Sequence, residues 1–163
     1  RDEMIRRIDE SLRLLDIEEL SDKNPFSLSG GQMQRVAIAS VIALKPKVLV
    51  LDEPTSQLDP KGSEEVFKVV EALSKEGITI VMAEHKIEKI AQYSDRVLML
   101  DNGKLIDFDT PGKVFSRSDL EKYGISAPAA TRIAKKLALK NPVTGYYPTT
   151  VQELTVERRR LND

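Results

Sequence analysis

Cysteine is absent from the 163 residues, which excludes a disulfide framework and any thiolate metal centre. That absence also fits a reducing compartment. Long apolar runs are missing as well. The longest nearly apolar stretch, Val36 to Leu44, is far short of a membrane-spanning helix. Nor is there an excess of either charge. With 25 Lys and Arg against 26 Asp and Glu, the formal charge is −1, so bulk electrostatics give no reason to expect nucleic acid as a partner. A further absence is the phosphate-cradling pattern G-x-x-x-x-G-K-[ST]. No two of the glycines, Gly30, Gly31, Gly62, Gly77, Gly103, Gly112, Gly124 and Gly145, have the required spacing. Only Gly103-Lys104 and Gly112-Lys113 make a Gly-Lys step, and neither is followed by Ser or Thr.

What is present is the composition of an ordinary globular chain, enough for one domain or for a large part of a bigger one. No secretory or transit segment opens it, by composition. It starts at Arg1, with Met4 three residues on, so a non-native start and hence a fragment are expected.

Met4, Ile8, Leu12 and Leu15 recur at helical spacing and predict an amphipathic helix. Asp22 to Ser29, with Asn24-Pro25, reads as a loop. A second helix is expected from near Ser29 to about Leu44, before Pro46. Val48 to Leu51 and Ile78 to Ala83 are short apolar runs, the pattern of strands buried on both faces. Between them Pro60 to Lys75 predicts a helix with Val66, Val69, Val70 and Leu73 inward, ended by Gly77. Strand, helix, strand at this spacing is a βαβ unit and implies parallel strands. Ile87 to Gln92 reads as a helix, and Arg96 to Leu100 and Leu105 to Phe108 as a hairpin around Asn102-Gly103. Further on, Pro128 to Leu139 predicts a short helix, and Thr150 with Glu153 a capping box for a last one that ends in Arg158-Arg159-Arg160.

Two stretches carry chemistry. In "VLVLDEP" a strand ends in two acids, which puts Asp52 and Glu53 at the carboxyl edge of a sheet, where ligands of open α/β folds sit. There Asp52 could hold Mg²⁺ and Glu53 could polarise an attacking water. The same residues equally read as a plain strand-to-turn junction, with Pro54 forcing the exit. In "LSGGQMQR" two glycines allow close approach of a ligand, and Ser29 could cap the following helix or donate to a phosphate oxygen. A bare S-G-G would be no more than a glycine-rich helix start.

Together these segments resemble the ATP-binding subunit of ABC transporters. The resemblance rests on "LSGGQ" at Leu28 to Gln32 as the signature, "VLVLDEP" at Val48 to Pro54 as the Walker B strand, "SQLD" at Ser56 to Asp59 as the D-loop, and His85 after "ITIVMA" as the switch histidine. It covers residues 1–115, and it implies the C-terminal part of the ABC fold of P-loop NTPases. This is an α/β class in which part of a helical subdomain joins part of a parallel-sheet core. Residues 116–163 are expected to form a mainly helical extension.

In that family two units associate head to tail, and each ATP lies between the Walker motifs of one and the signature of the other. By this resemblance Ser29, Gly30 and Gly31, with Gln32 closing the signature, contact the nucleotide of the second subunit. Asp52 serves Mg²⁺, Glu53 orients or deprotonates the water, His85 contacts the γ-phosphate, and Asp59 links the two sites. The family's phosphate loop, which lies upstream of the signature, is not in this sequence, so the chain alone is expected to be inactive. A strand like Val48 to Leu51 without neighbours leaves an exposed apolar edge, and self-association of the isolated chain is expected.

"DNGKLIDFDTPGKVF" resembles the hairpin and exit of importer-type ATPases, and "LEKYGISAPAATRIAKKL" the C-terminal extension of energy-coupling-factor transporters, which take up vitamins, cobalt or nickel. Gln57 in "SQLDP" points the same way. The resemblance implies an integral membrane transporter subunit as a further partner, a peripheral place on the cytoplasmic face of the membrane, and a dimerising role for the extension. Residues 116–163 would otherwise simply cover a sheet edge. Two other readings remain. One is the C-terminal lobe of an SMC- or Rad50-like DNA-maintenance ATPase, in which a missing phosphate loop is natural, but Arg1 to Leu15 shows no sustained heptads. The other is a non-catalytic fragment that binds a partner.

Overall fold

The computed structural model describes residues 1–160. The chain folds as two compact units, Arg1–His85 and the residues from Lys86 on.

In the first unit, α1 (Asp2–Leu14) carries the exposed ion pairs expected of an amphipathic helix, Arg6 to Glu10 and Arg7 to Glu3, both at 2.7 Å. Two single 3₁₀ turns, Glu18–Leu20 and Pro25–Ser27, lead to α2 (Gly30–Ile42). The second turn lies inside the expected loop, where the Asn24 side chain accepts from the Phe26 N–H at 3.0 Å. Then come β1 (Val48–Asp52), α3 (Pro60–Lys75) and β2 (Thr79–Ala83). The strands are parallel, with Val48 opposite Thr79 and Asp52 opposite Ala83, as the βαβ reading requires. Asp59 starts α3 by accepting the Gly62 N–H at 2.7 Å, Pro60 pre-sets its first turn, and Gly77 at φ +83° ends it.

The core of this unit is aliphatic. Val66, Val69, Val70 and Leu73 of α3 pack with Ile38 and Ile42 of α2, Leu15 and Ile17 after α1, and Leu49 and Leu51 of β1. Each such side chain removed from water contributes about 2 kcal/mol.

One expectation about the strands fails. β1 alternates rather than being buried on both faces. Leu49 and Leu51 face the core, while Val48 and Val50 are exposed, Val50 to 71%. β2 follows the same alternation, with Ile80 and Met82 against the core and Val81 exposed. The reason is that within this unit the core residues lie on one face of the strand pair only. An apolar run therefore marks a strand without telling how many of its faces are covered.

The second unit opens with α4 (Ile87–Tyr93) and an antiparallel hairpin, β3 (Val97–Asp101) and β4 (Lys104–Asp109). Asn102 and Gly103 both have positive φ, 48° and 74°, the primed turn that matches the twist of the strands. A register shift between Met99 and Leu100 interrupts the ladder. Next, α5 (Pro111–Ser116) has no counterpart in the sequence reading. At six residues it is too short to show a period, and the burial of Val114 and Phe115 is what orders it. A 3₁₀ turn, Leu120–Tyr123, precedes α6 (Ala129–Lys136), which is shorter than the expected helix because Ala138 leaves the helical region at φ +54°. In α7 (Val151–Arg160) the capping box forms, Thr150 Oγ1 and Glu153 each accepting the other's N–H at 3.3 Å.

Ala91, Met99, Phe115 and Leu120 form the small core of this unit. Polar latches supplement it. Arg117 makes a two-point contact with Asp119 at 2.8 and 2.9 Å and reaches Asp107 at 2.8 Å, and the Lys135 ammonium donates to the Arg117 carbonyl at 2.7 Å. The buried Glu157 carboxylate accepts from Asn141 at 2.8 Å and from Arg160 at 2.9 Å.

Candidate nucleotide site

Parallel strands bring their carboxyl ends to one edge, and here that edge holds Asp52, Glu53, Glu84 and His85. Asp52 is the last residue of β1, in the same alternation as the exposed Val48 and Val50, and its carboxylate is exposed. Continued strand would send Glu53 to the covered face beside Leu49 and Leu51. Instead Glu53 takes a left-handed conformation at φ +45°, which costs on the order of 1 kcal/mol for a residue with a Cβ. Two contacts hold it there. The Glu53 N–H still donates to the Ala83 carbonyl at 3.0 Å, and the Glu53 carbonyl accepts from the Ser56 N–H and hydroxyl at 3.2 and 3.1 Å.

The result is that Glu53 Oε1 lies 2.8 Å from His85 Nε2. The Glu53 carboxylate beside the ring is the main reason the His85 pKa is raised above its ordinary value, with smaller contributions from Glu84 and Asp52. Both side chains of the pair are solvent-accessible, so the imidazole and the carboxylate can meet a ligand from outside. A carboxylate and an imidazole at hydrogen-bond distance can exchange a proton, and both residue types serve in general acid–base chemistry.

Two residues that the sequence reading did not single out complete this edge. Thr55 is fully buried, and its hydroxyl donates to the Glu84 carboxylate. The other oxygen of Glu84 accepts the His85 N–H at 2.5 Å. An acid immediately before the lone histidine, at the end of a strand paired with "DEPT", was the signal that could have found them.

The signature residues lie at the start of α2. Ser29 caps it in a full capping box: Ser29 Oγ accepts the Gln32 N–H at 3.3 Å, and Gln32 Oε1 accepts the Ser29 N–H at 3.0 Å. The glycines meet neighbours within the chain. A Cβ on Gly31 would come 3.2 Å from Gly62 Cα, and one on Gly30 would come 3.3 Å from Leu58 Cδ2. A Cβ on Gly62 would come 2.9 Å from Asp59 Oδ1, the cap of α3. Gly31 thus allows the close approach of α2 to α3, and Gly62 leaves room for the Asp59 cap. Arg35, one turn further along α2, braces the contact by pairing with Glu65 of α3 at 3.1 Å. The signature and the D-loop residue Asp59 are in this way mounted on two helices locked start to start.

Residues 2–56 match the ABC transporter family. The energy-coupling factor transporter ATP-binding protein EcfA2 of Streptococcus sanguinis (strain SK36) is 42% identical over 88% of this chain and 52% of its own length. That of Streptococcus pyogenes serotype M5 (strain Manfredo) is 46% identical over 89% and 52%. Among solved structures, cbiO1 from Clostridium perfringens, described as part of the ABC transporter complex cbiONQ, superposes with a TM-score of 0.68 at 39% identity. It aligns with 88% of this chain and 53% of its own. Over nearly nine-tenths of its length the chain is thus similar to ATP-binding proteins of ABC transporters. A nucleotide-free ATP-binding cassette from an ABC transporter aligns with a TM-score of 0.70 at 28% identity, over 77% of this chain and 51% of that one. The fold is accordingly the C-terminal portion of the ABC ATPase fold. The chain spans about half the length of the curated ABC relatives it matches. Among the described residues no helix is long and apolar enough to cross a membrane.

Proposed function

We propose that this chain is the C-terminal part of the ATP-hydrolysing subunit of an ABC importer of the energy-coupling-factor type, which takes up a vitamin or a metal ion. The observation that carries the reading is the Glu53 carboxylate held 2.8 Å from His85 at the carboxyl edge of two parallel strands. In this reading Glu53 orients or deprotonates the attacking water, and His85 touches the γ-phosphate and steadies Glu53. The pairing with Glu53 favours a protonated imidazole, which adds positive charge where a phosphoryl group would lie.

The donor set fits Mg²⁺. Asp52 offers an exposed carboxylate at the end of β1, and Mg²⁺ characteristically takes one or two carboxylates together with substrate phosphates. Asp52 is the carboxylate that would hold it, directly or through water. When bound, the ion neutralises charge on the transferring phosphate. Ser29, Gly30, Gly31 and Gln32 bind the ATP of a second ABC subunit through the start of α2, and Asp59 transmits between the two sites. We assign this nucleotide function to residues 1–115 and a dimerising role to residues 116–163. The phosphate cradle belongs to sequence outside this chain, so the chain by itself is inactive. The assembled subunit sits peripherally on the cytoplasmic face of the membrane against an integral transporter subunit.

The test is Glu53→Gln in the full-length subunit. ATP binding is expected to persist while turnover falls by roughly a hundredfold or more. Wild-type-like hydrolysis by that variant removes Glu53 from its role and the reading with it.

A further inference from the structure

Three contacts tie the turn after β1 to the loop after β2. The Glu53 N–H donates to the Ala83 carbonyl at 3.0 Å, and the Glu53 carboxylate meets the His85 ring at 2.8 Å. The third is made by Glu84, whose two oxygens are divided between the Thr55 hydroxyl and the His85 N–H. The first two contacts fix the Glu53 backbone and one nitrogen of an exposed imidazole, which meets a carboxylate that is itself solvent-accessible. Glu84 adds a hold on the peptide that carries the ring. One of its oxygens grips the peptide of His85, and the other is fixed by the fully buried Thr55, in the turn that leads from β1 to α3. A carboxylate accepting from two fixed donors is a stronger clamp than a neutral acceptor would be.

We propose that Glu84 and Thr55 are positioning residues for the Glu53–His85 pair, a clamp that sets where the imidazole and the carboxylate meet. This rests on the catalytic reading of that pair. Neither residue touches the nucleotide in the proposal. Both act through His85, and because they share one hydrogen bond they act as a unit.

The experiment measures steady-state ATP hydrolysis by the full-length subunit carrying Glu84→Gln, Thr55→Val, the two together, or Thr55→Ser, alongside wild type and Glu53→Gln. Misplacing a reacting group by a fraction of an ångström to an ångström lowers turnover, so kcat is expected to fall roughly tenfold to a hundredfold in each single variant. KM should stay within about twofold, since neither Glu84 nor Thr55 contacts the nucleotide and His85 supplies only one of its contacts. The double variant is expected to be no slower than the slower single, the mark of a shared contact. Thr55→Ser, which keeps the hydroxyl, should recover most of kcat. Glu84→Gln changes one atom at a partly exposed position and so keeps the fold in place for the decisive comparison. Unchanged kcat in Glu84→Gln, multiplicative losses in the double variant, or a Thr55→Ser enzyme as slow as Thr55→Val each overturn the clamp. A wild-type subunit without turnover, or an active Glu53→Gln, overturns the catalytic reading itself, and these two controls tell that failure from the first.

Discussion

Between Arg1 and His85 packing is carried by branched aliphatic side chains, with Val66 and Leu73 wholly buried against Ile17, Leu15 and Ile38. From Lys86 on, the main buried cluster is the smaller one of Ala91, Met99, Phe115 and Leu120, with Val114, Ala130, Ala134 and Leu139 also buried, and ionic latches supplement this packing. Arg117 alone joins the end of α5 to β4 through Asp107 and to the following turn through Asp119. Those two carboxylates hold the Arg117 proton more tightly than usual, and the Arg117 guanidinium in return keeps the Asp119 carboxyl below its ordinary range. The difference teaches where each unit is vulnerable. An aliphatic core answers to volume and is indifferent to salt, whereas a partly exposed ion-pair latch answers to ionic strength.

The contrast can be broken or sharpened by measurement. Leu73→Ala should have the largest effect on stability, a loss of about 3 kcal/mol, because it empties a fully buried site. Urea denaturation at low and high salt should show the same loss in both; a loss below about 1 kcal/mol would mean that the aliphatic core collapses around the gap. Arg117→Ala should cost less, about 1 kcal/mol at low salt, and the cost should shrink at high ionic strength. A salt-independent loss there would make Arg117 a packing residue and erase the distinction between the units.

The smallest effect concerns His85, the single histidine of the chain. Its raised pKa means that protonation is favoured by the fold, chiefly through Glu53. The stabilisation from the pair is therefore complete below the ordinary value of 6.5 and is lost as the pH rises through the raised value. Titration of the imidazole by NMR should give a midpoint above 6.5, moved back toward it by Glu53→Gln. A wild-type midpoint at or below the ordinary value would mean that the pair does not hold in solution.

Much of this was legible in the residues. Periodicity at Val66, Val69, Val70 and Leu73 marked α3 and its inward face, Asn102-Gly103 marked the hairpin turn, and Thr150 with Glu153 marked the last helix start. Ser29 and Gln32 are spaced for the capping box that forms. The illegible parts share a cause. The helix at Pro111–Ser116 exists through the burial of Val114 and Phe115, and the open face of Val48, Val50 and Val81 through what packs beneath the strands. Neither leaves a local pattern, because burial is a property of distant neighbours.

The sequence by itself determined the order and type of the main elements and the kinds of group at the carboxyl edge of the strands, since hydrophobic period, turn chemistry and capping act over a few residues. Only the tertiary structure decided that Glu53 turns left-handed to meet His85, that Gly31 lies against Gly62, and that Thr55 and Glu84 share a hydrogen bond. Those are contacts between residues about thirty apart in sequence, created by the parallel pairing of two strands and the crossing of two helices, and no local pattern encodes a distance across a fold.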